Sequence, residues 1–257
     1  MPKTIPISNI EAIINYAYEQ YKKATTAYSR KVALRNILIL ELLFATGMRI
    51  SELCSLKADR FDFNDYVIKI YGKGSKERLI QICNANVRRL INKYIITIKP
   101  EEYEFFFINR FHNRLSEQSV RYMIDDYTKK AQISQHITPH MFRHSFATLL
   151  LEEDVDIRYI QQMLGHSSIT TTQIYTHTSI GKQKTILETK HPRNRFDISL
   201  WNNKLYRRIA LKRPEMSCIA FLGIGKVISL CFLFLTPKYW YNNELEFKKP
   251  VVKPFLT

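Results

Sequence analysis

The sequence predicts a mainly α-helical fold with one small antiparallel β-sheet, which is an α+β class. Apolar residues recur mostly with helical spacing, and only residues 61–82 change to the period of two that is typical of a β-hairpin. Hydrophobic residues make up 46% of the 257 positions, enough for a packed core. Seven glycines and nine prolines exclude collagen-like and glycine-rich low-complexity chains.

The first two helices differ in how much of their surface is apolar. Residues 10–21 place apolar side chains on one face, with Ser8 or Asn9 as the expected N-cap. Residues 30–46 are apolar on almost every side, which indicates a buried helix. Gly47 then stands where a left-handed C-cap is expected.

Start and stop signals mark the later elements. Ser116 is an expected N-cap, and Thr138 followed by Pro139 is a second, because proline fits the first helical turn. Gly165 closes a shorter helix. The remaining helices are expected over residues 51–56, 85–97, 118–131, 138–151, 156–164, 169–175 and 179–190, and the hairpin strands over residues 66–71 and 77–82.

The chain is expected to form one domain over residues 1–195 and a C-terminal extension over residues 196–257. The extension contains an apolar run, residues 218–236, interrupted by Lys226 and stopped by Pro237. The run approaches the length of a membrane helix, about 20 residues. A charge near its centre costs about 2.5–3.5 kcal/mol on insertion. A buried or partner-docking segment, or a non-native extension, is therefore favoured over a membrane span.

Charge and cysteine content narrow the class of function. Lys and Arg number 39 against 23 Asp and Glu, a net charge of +16 that indicates a polyanionic partner such as nucleic acid or an acidic membrane surface. The first residues show no apolar run of signal-peptide length, so no export signal is expected. Four dispersed cysteines, Cys54, Cys83, Cys218 and Cys231, exclude a C-x-x-C metal pair and fit a reducing cytoplasm.

Three polar side chains share one face of the helix that starts at Pro139. His140, Arg143 and His144 stand at positions i, i+3 and i+4. A zinc site is disfavoured because Met141 stands where the metalloprotease pattern has Glu. A solvated helix edge and a phosphate site with Arg143 as a fork both remain open.

Two further clusters favour the phosphate site. His166 follows the helix-closing Gly165, and Tyr175 lies nine positions later. A phenol, with an ordinary pKa near 10, needs positive charge or a base nearby to attack at neutral pH. Arg49 follows the buried helix and its glycine turn, and Glu52 is spaced to hold its guanidinium, although an ordinary surface ion pair fits equally well.

Together these residues resemble the catalytic domain of the tyrosine recombinases, the phage integrase family, and above all its Xer-type and small DNA-invertase branch. The motifs ATGMRISEL, GKGSKER, HMFR, LGHSS and TTQIYTH match the family's first arginine box, its hairpin, its H-x-x-R box and the segments that carry its second histidine and its tyrosine. The similarity spans about residues 5–190. The matched residues are Arg49, Lys73, His140, Arg143, His166 and Tyr175.

The resemblance implies a site-specific recombinase that cleaves and rejoins DNA. Tyr175 would attack the phosphodiester, giving a 3′-phosphotyrosyl link and a free 5′-hydroxyl. Arg49, Arg143 and His166 would donate hydrogen bonds to the non-bridging oxygens in the transition state.

The resemblance also implies roles for the other two residues, and partners. Lys73 would protonate the leaving 5′-oxygen, and His140 would assist proton removal from the phenol or steady the phosphorane. No cofactor and no metal is expected. Double-stranded DNA, self-assembly into a tetramer on paired sites and accessory DNA-bending proteins are the expected partners, with a membrane contact allowed only through the extension. The expected location is the cytoplasm.

Basic residues outside the motifs are candidate DNA contacts. The helix capped by Ser116 is suited to a major groove, with a solvated face as the alternative. The candidates on or beside this helix and near the hairpin are Arg110, Arg114, Arg121, Lys129, Lys130, Lys57, Arg60, Lys76 and Arg78.

Two departures from the family pattern leave alternatives open. Typical members carry a separate helical core-binding domain before the catalytic domain, and residues 196–257 match no family segment. Three other hypotheses therefore stay open: a truncated or inactive member that only binds DNA, a DNA-relaxing enzyme of the type IB topoisomerase class, and a membrane-tethered protein.

Overall fold

The computed structural model describes residues 4–71, 77–165, 177–196 and 198. All of them belong to the first of two units of the chain, Met1–Asn203. Within these residues eight α-helices accompany a three-stranded antiparallel sheet, so the predicted fold class is confirmed. No helix among them is long and apolar enough to cross a bilayer, and the apolar run at 218–236 lies outside them.

The helices lie before and after the sheet in the chain. They are α1 (Ile7–Lys23), α2 (Ala27–Thr46), α3 (Ile50–Cys54), α4 (Ala85–Ile98), α5 (Glu117–Lys130), α6 (Pro139–Glu152), α7 (Ile157–Leu164) and α8 (His177–Lys190). The strands are β1 (Phe61–Asp62), β2 (Val67–Tyr71) and β3 (Glu77–Gln81), hydrogen-bonded in that order.

Helix α2 forms the centre of the fold, packed against α1, α4 and α6. Its side chains are buried continuously from Ile37 to Thr46, as an apolar surface on all sides requires. It begins three residues before the predicted start because Thr26 and Ser29 form a capping box. It ends at Gly47, whose φ of 60° is the predicted left-handed cap.

The start of α1 differs from the prediction. The expected caps Ser8 and Asn9 both lie inside the helix, which begins at Ile7 with Pro6 as its N-cap residue. Pro6 has the extended backbone that precedes a helix, and Ile5 N donates to Ser145 Oγ at 2.8 Å. This contact fixes the entry of the chain from outside α1, so no side-chain cap is needed.

The signals of the later helices are largely confirmed. Ser116 Oγ accepts from Ser119 N at 3.1 Å at the start of α5, and Gly165 has a φ of 68° at the end of α7. Thr138 holds the N-cap position of α6 without a side-chain cap bond. The helix predicted over residues 169–175 lies outside the described residues.

The hairpin has the predicted strands in antiparallel register, with Ile68 opposite Ile80. Strand β1, which pairs Phe61 with Ile68, was not predicted, because two residues are too few to show a period. The ring of Phe61 stacks on Phe63 and Phe106, which closes this side of the core.

The packed domain continues past the boundary predicted at residue 195. Arg193 is fully buried, and its Nε and Nη2 donate to the Glu41 carboxylate at 2.7 and 2.8 Å. It also donates to the backbone oxygens of Phe196 and Ile198, whose side chains join the core. Arg193 supplies the cation that the Glu41 carboxylate, buried in α2, requires. The division of the chain at residue 195 stays a prediction.

Candidate active site

Three of the six motif residues lie in the described part of the chain: Arg49, His140 and Arg143. Lys73, His166 and Tyr175 lie outside it, and Lys76 does as well. The described part still shows what holds the first arginine box, the H-x-x-R box and the end of α7 together.

Arg49 lies at the junction of α2 and α3, directly after the turn at Gly47. Its side chain is 41% exposed, and Nη1 donates to Glu52 Oε1 at 3.0 Å. The backbone N of Arg49 donates to Glu52 Oε2 at 2.7 Å, so one carboxylate holds both the side chain and the backbone. The contact predicted from the i, i+3 spacing is therefore present.

The turn before Arg49 packs tightly against the helix that carries the second arginine. A Cβ atom built on Gly47 would lie 2.7 Å from Phe146 Cδ1 of α6 and 2.9 Å from Leu164 Cδ2 of α7. Glycine is required here for this close approach and for the positive φ. The first arginine box is thereby fixed relative to α6 and α7.

Arg143, which lies on α6, contacts both the turn at Gly47 and the end of α7. The residue is 5% exposed, and Nη1 donates to Gly47 O at 2.8 Å while Nη2 donates to Leu164 O at 2.7 Å. Burial lowers its pKa to about 10, with a further lowering from Arg49 and an opposing effect of Glu52. The guanidinium stays charged at neutral pH, and its weak hydration suits it to bind phosphate.

The structure corrects the interpretation of Arg78. This residue was expected to contact DNA phosphate, but its side chain is 5% exposed. Nη1 and Nη2 donate to the two oxygens of Glu52 at 2.9 and 2.6 Å, and Nε donates to Met163 O at 3.2 Å. The alternation along β3 was the available signal, because Arg78 shares a face with the buried Ile80.

Glu52 is the shared acceptor of this group. Burial alone would raise its pKa, but hydrogen bonds and positive charge from Arg78 and Arg49 hold the pKa below its ordinary value. The guanidinium groups of Arg49 and Arg78 contact this ionised carboxylate, and that of Arg143 is near enough to feel its charge, so the three cations and one anion leave an excess of two positive charges. A site of this kind attracts an anion.

His140 and His144 lie on α6 beside Arg143. His140 is exposed and His144 is half-buried. Among the described residues no three His, Cys, Asp or Glu side chains lie close enough to share a metal ion.

The cations predicted along α5 are paired with carboxylates one turn earlier. Arg121 contacts Glu117 at 2.8 Å. The two other pairs on the helix are Lys129 with Asp125 at 2.7 Å and Lys130 with Asp126 at 2.8 Å. Exposed pairs of this kind contribute little to stability. The prediction that α5 reads a groove stays a prediction.

The remaining candidate DNA contacts are spread over the loops near α3 and α5. Arg114 donates to Cys54 O at 3.2 Å, and Arg110 lies over the Phe111 ring. Lys57 pairs with Glu104 at 3.0 Å. Arg60 is half-buried.

Comparison with known proteins gives one family. The sequence profile of the phage integrase family matches residues 8–181. A tyrosine recombinase from Agathobacter rectalis is 53% identical over 198 residues, which are 76% of this chain and 65% of the relative. Tyrosine recombinase XerC from Bacillus pumilus is 38% identical over 191 residues, 70% of this chain and 63% of the relative. The chain thus spans 65% or less of the length of these two relatives.

Solved structures show a similar fold. The crystal structure of XerA recombinase has a TM-score of 0.57 and 29% identity, covering 72% of this chain and 63% of that chain. XerH site-specific recombinase, in a pre-cleavage complex with difH substrate, has a TM-score of 0.55 and 29% identity, covering 71% and 52%. The family resemblance drawn from the motifs is confirmed.

Proposed function

This chain belongs to the phage integrase family, and we propose on that basis that it is a site-specific DNA recombinase acting through Tyr175. It cleaves and rejoins double-stranded DNA to integrate, excise or invert a segment. The observation that carries the proposal is the joint anchoring of the two arginine boxes: Arg143 binds the carbonyl of Gly47, two residues before Arg49. The Arg49 charge is near enough to lower the pKa of Arg143.

Two guanidinium groups at one site are suited to donate hydrogen bonds to the two non-bridging oxygens of a scissile phosphodiester. As the nucleophile attacks, negative charge grows on the non-bridging oxygens, and fixed donors stabilise that charge more than the ground state. Arg143 is held by two backbone carbonyls and Arg49 by Glu52, so neither has to be ordered during the reaction. His166 supplies a third donor in this proposal.

The chemical step balances without an external reagent. The Tyr175 phenol loses its proton, with His140 assisting, and its oxygen forms a bond to phosphorus. The bond from phosphorus to the 5′-oxygen breaks, and Lys73 gives that oxygen a proton. The product is a 3′-phosphotyrosyl link with a free 5′-hydroxyl. Attack by a 5′-hydroxyl from another strand reverses the step and gives the recombined strand, because the link conserves the energy of the broken bond.

The proposal also covers the oligomeric state, the cellular location and the DNA contacts of the protein. The protein acts in the cytoplasm as a tetramer on paired DNA sites, assisted by accessory DNA-bending proteins. Residues 1–195 form the catalytic domain, and residues 196–257 form an extension. Exposed cations of α5 and of the loop around Arg110 contribute phosphate contacts.

A trapped covalent complex tests the proposal. DNA carrying the recombination site of the host element, nicked beside the cleavage position, loses a short fragment after cleavage and so cannot be rejoined. The parent is expected to form a protein–DNA adduct that survives denaturing electrophoresis, and Tyr175→Phe is expected to form none. Binding without an adduct in the parent would leave only the DNA-binding reading. Relaxation of supercoiled DNA that lacks the site would favour the topoisomerase-like reading.

A further inference from the structure

We propose that Arg78 is a positioning residue of the active site. It sets the Arg49 guanidinium through Glu52, and it holds the end of α7, from which the chain continues to His166. This inference rests on the proposed function, because it assigns Arg78 a part in DNA cleavage rather than in DNA binding.

The first anchor is the Glu52 carboxylate, which is saturated by four donors. Oε1 accepts from Arg49 Nη1 at 3.0 Å and from Arg78 Nη1 at 2.9 Å. Oε2 accepts from the Arg49 backbone N at 2.7 Å and from Arg78 Nη2 at 2.6 Å. The planar fork of Arg78 therefore fixes the plane of the carboxylate, and the carboxylate in turn fixes Arg49. Without the fork, Glu52 could rotate and Arg49 would lose its fixed direction.

The second anchor is the C-terminus of α7. The last carbonyls of a helix have no partner within the helix, and a cation is favourable beside them. Arg78 Nε donates to Met163 O at 3.2 Å, and Arg143 Nη2 donates to the next carbonyl, Leu164 O, at 2.7 Å. Two arginines thus hold two successive carbonyls at the point where the chain leaves α7.

Close packing at Gly165 joins the two anchors. A Cβ atom built on Gly165 would lie 2.9 Å from Arg78 Cδ and 3.1 Å from Arg78 Nη1. The direction in which the chain leaves α7 therefore depends on the Arg78 side chain. The same side chain therefore contacts both the carboxylate that holds Arg49 and the described end of α7 at Met163 and Gly165.

Lysine cannot replace Arg78 in this arrangement. A single ammonium group reaches one carboxylate oxygen as a point charge, whereas the guanidinium reaches both oxygens and Met163 O at once. Arg78→Lys therefore keeps the buried charge opposite Glu52 but loses the geometry. This variant separates positioning from charge balance.

The test is single-turnover cleavage at saturating nicked DNA, with the full chain at a temperature where circular dichroism shows complete folding. Arg78→Lys is expected to lower the rate at least about 10-fold and Arg78→Gln about 100-fold, the loss that small displacements of reacting groups cause. DNA affinity is expected to stay within about twofold. Arg158→Lys is the matched control, because Arg158 is an exposed arginine paired with Asp156, and it is expected to cleave at the parent rate.

A double-mutant cycle with Arg49→Lys separates positioning from a merely structural role. If Arg78 acts through Arg49, the cleavage rate of the double variant falls by less than the product of the fold-losses of the two single variants. Multiplied losses, or folded Arg78 variants that cleave at the parent rate, would overturn the inference while the proposed function stood. If Arg78→Gln does not fold, the cleavage rate of Arg78→Lys alone decides whether Arg78 is a positioning residue. A parent that forms no adduct would overturn the proposed function, and this inference with it.

Discussion

The two arginines of the proposed active site differ in exposure. This difference decides which of them can be replaced to test cleavage without also destabilising the fold. Arg143 is buried against two backbone carbonyls, so its removal also leaves a gap between elements. Arg49 is 41% exposed, and among the described residues Glu52 holds its guanidinium. Arg49 is therefore the better probe of transition-state stabilisation.

Replacing Arg49 by alanine is expected to remove cleavage but not folding. Loss of one fixed donor to a developing oxyanion typically costs a factor of about 10²–10³ in rate. Adduct formation should fall by that factor while DNA affinity changes by less than about tenfold, measured in single-turnover assays and by titration. Arg158→Ala serves as the control. An Arg49→Ala protein that cleaves at the parent rate would remove Arg49 from the site.

His191 is a buried imidazole that the structure holds in its neutral form. Nδ1 accepts from Arg193 N at 2.9 Å, which leaves Nε2 to donate to Ala45 O at 3.0 Å. Burial lowers the pKa of His191 from 6.5 to about 4, with the Arg193 charge adding to the effect. A second proton would have to sit against the backbone N–H of Arg193.

Stability is therefore expected to fall as the pH falls from 6.5 towards 4. In this window the unfolded chain takes up a proton at His191 that the folded protein does not, and the full difference corresponds to about 3 kcal/mol. Urea unfolding at several pH values measures it. The His191→Asn variant should show a pH dependence weaker by that amount. Equal pH dependence of parent and His191→Asn would contradict a neutral buried ring.

A contact between two side chains is predictable from the sequence where their spacing along one helical turn fixes it. The i, i+3 spacing of Arg49 and Glu52 predicts their pair correctly. Arg78 was misassigned because it was judged by charge and proximity to the hairpin rather than by its face of the strand. The pairing of Arg78 with Glu52 joins residues 26 positions apart, which no local pattern specifies.

At the scale of elements, the turn between α2 and α3 connects the core to the site. Gly47 contacts α6 and α7 at distances that leave no room for a side chain. The same turn gives its carbonyl to Arg143. A change in this turn should therefore affect both stability and cleavage.

Gly47→Ala is expected to lower the free energy of unfolding by about 1–3 kcal/mol, from the left-handed backbone and from crowding against Phe146. It should also slow cleavage, since Arg49 follows two residues later. Gly181→Ala is the matched control: Gly181 lies in α8 with open space around its Cα, so alanine should stabilise by about 0.5–1 kcal/mol. Denaturant unfolding measures both. A Gly47→Ala protein as stable as the parent would show that the turn can relax.

Element boundaries were predictable to the extent that they depend on local caps. Ser116 and Gly165 mark helix ends correctly because side-chain capping and a left-handed residue are short-range effects. The start of α1 was predicted too late because Pro6 and a tertiary contact to Ser145 set it. Strand β1 exists through its pairing with β2, which its own two residues cannot signal.

At the scale of the whole molecule, a buried ion pair joins α2 to the end of the described domain. Glu41 and Arg193 are both fully buried, and the Tyr18 hydroxyl donates to Glu41 Oε1 at 2.9 Å. The two residues are 152 positions apart, so the pair forms only when the fold is complete. No local pattern in the sequence specifies a pair at this separation.

Arg193→Met is expected to destabilise the protein by about 3–5 kcal/mol, because it leaves the Glu41 carboxylate buried without a cation. The free energy of unfolding should fall less in the double variant, Glu41→Leu with Arg193→Met, than in Arg193→Met alone, because no unpaired buried charge remains in the double variant. Urea unfolding of the three proteins measures the difference. A single variant within about 1 kcal/mol of the parent would show that the end of the domain does not depend on this pair.

Whether Tyr175 is the nucleophile is decided by the atom that carries DNA in the trapped complex. Trypsin releases residues 159–182 as one peptide with two tyrosines, Tyr159 and Tyr175. Fragment masses should place a nucleotide on Tyr175 through a 3′-phosphate, and the other DNA end should carry a free 5′-hydroxyl. A nucleotide on Tyr159 or on another residue, or a parent that binds its site without any covalent link, would contradict the account.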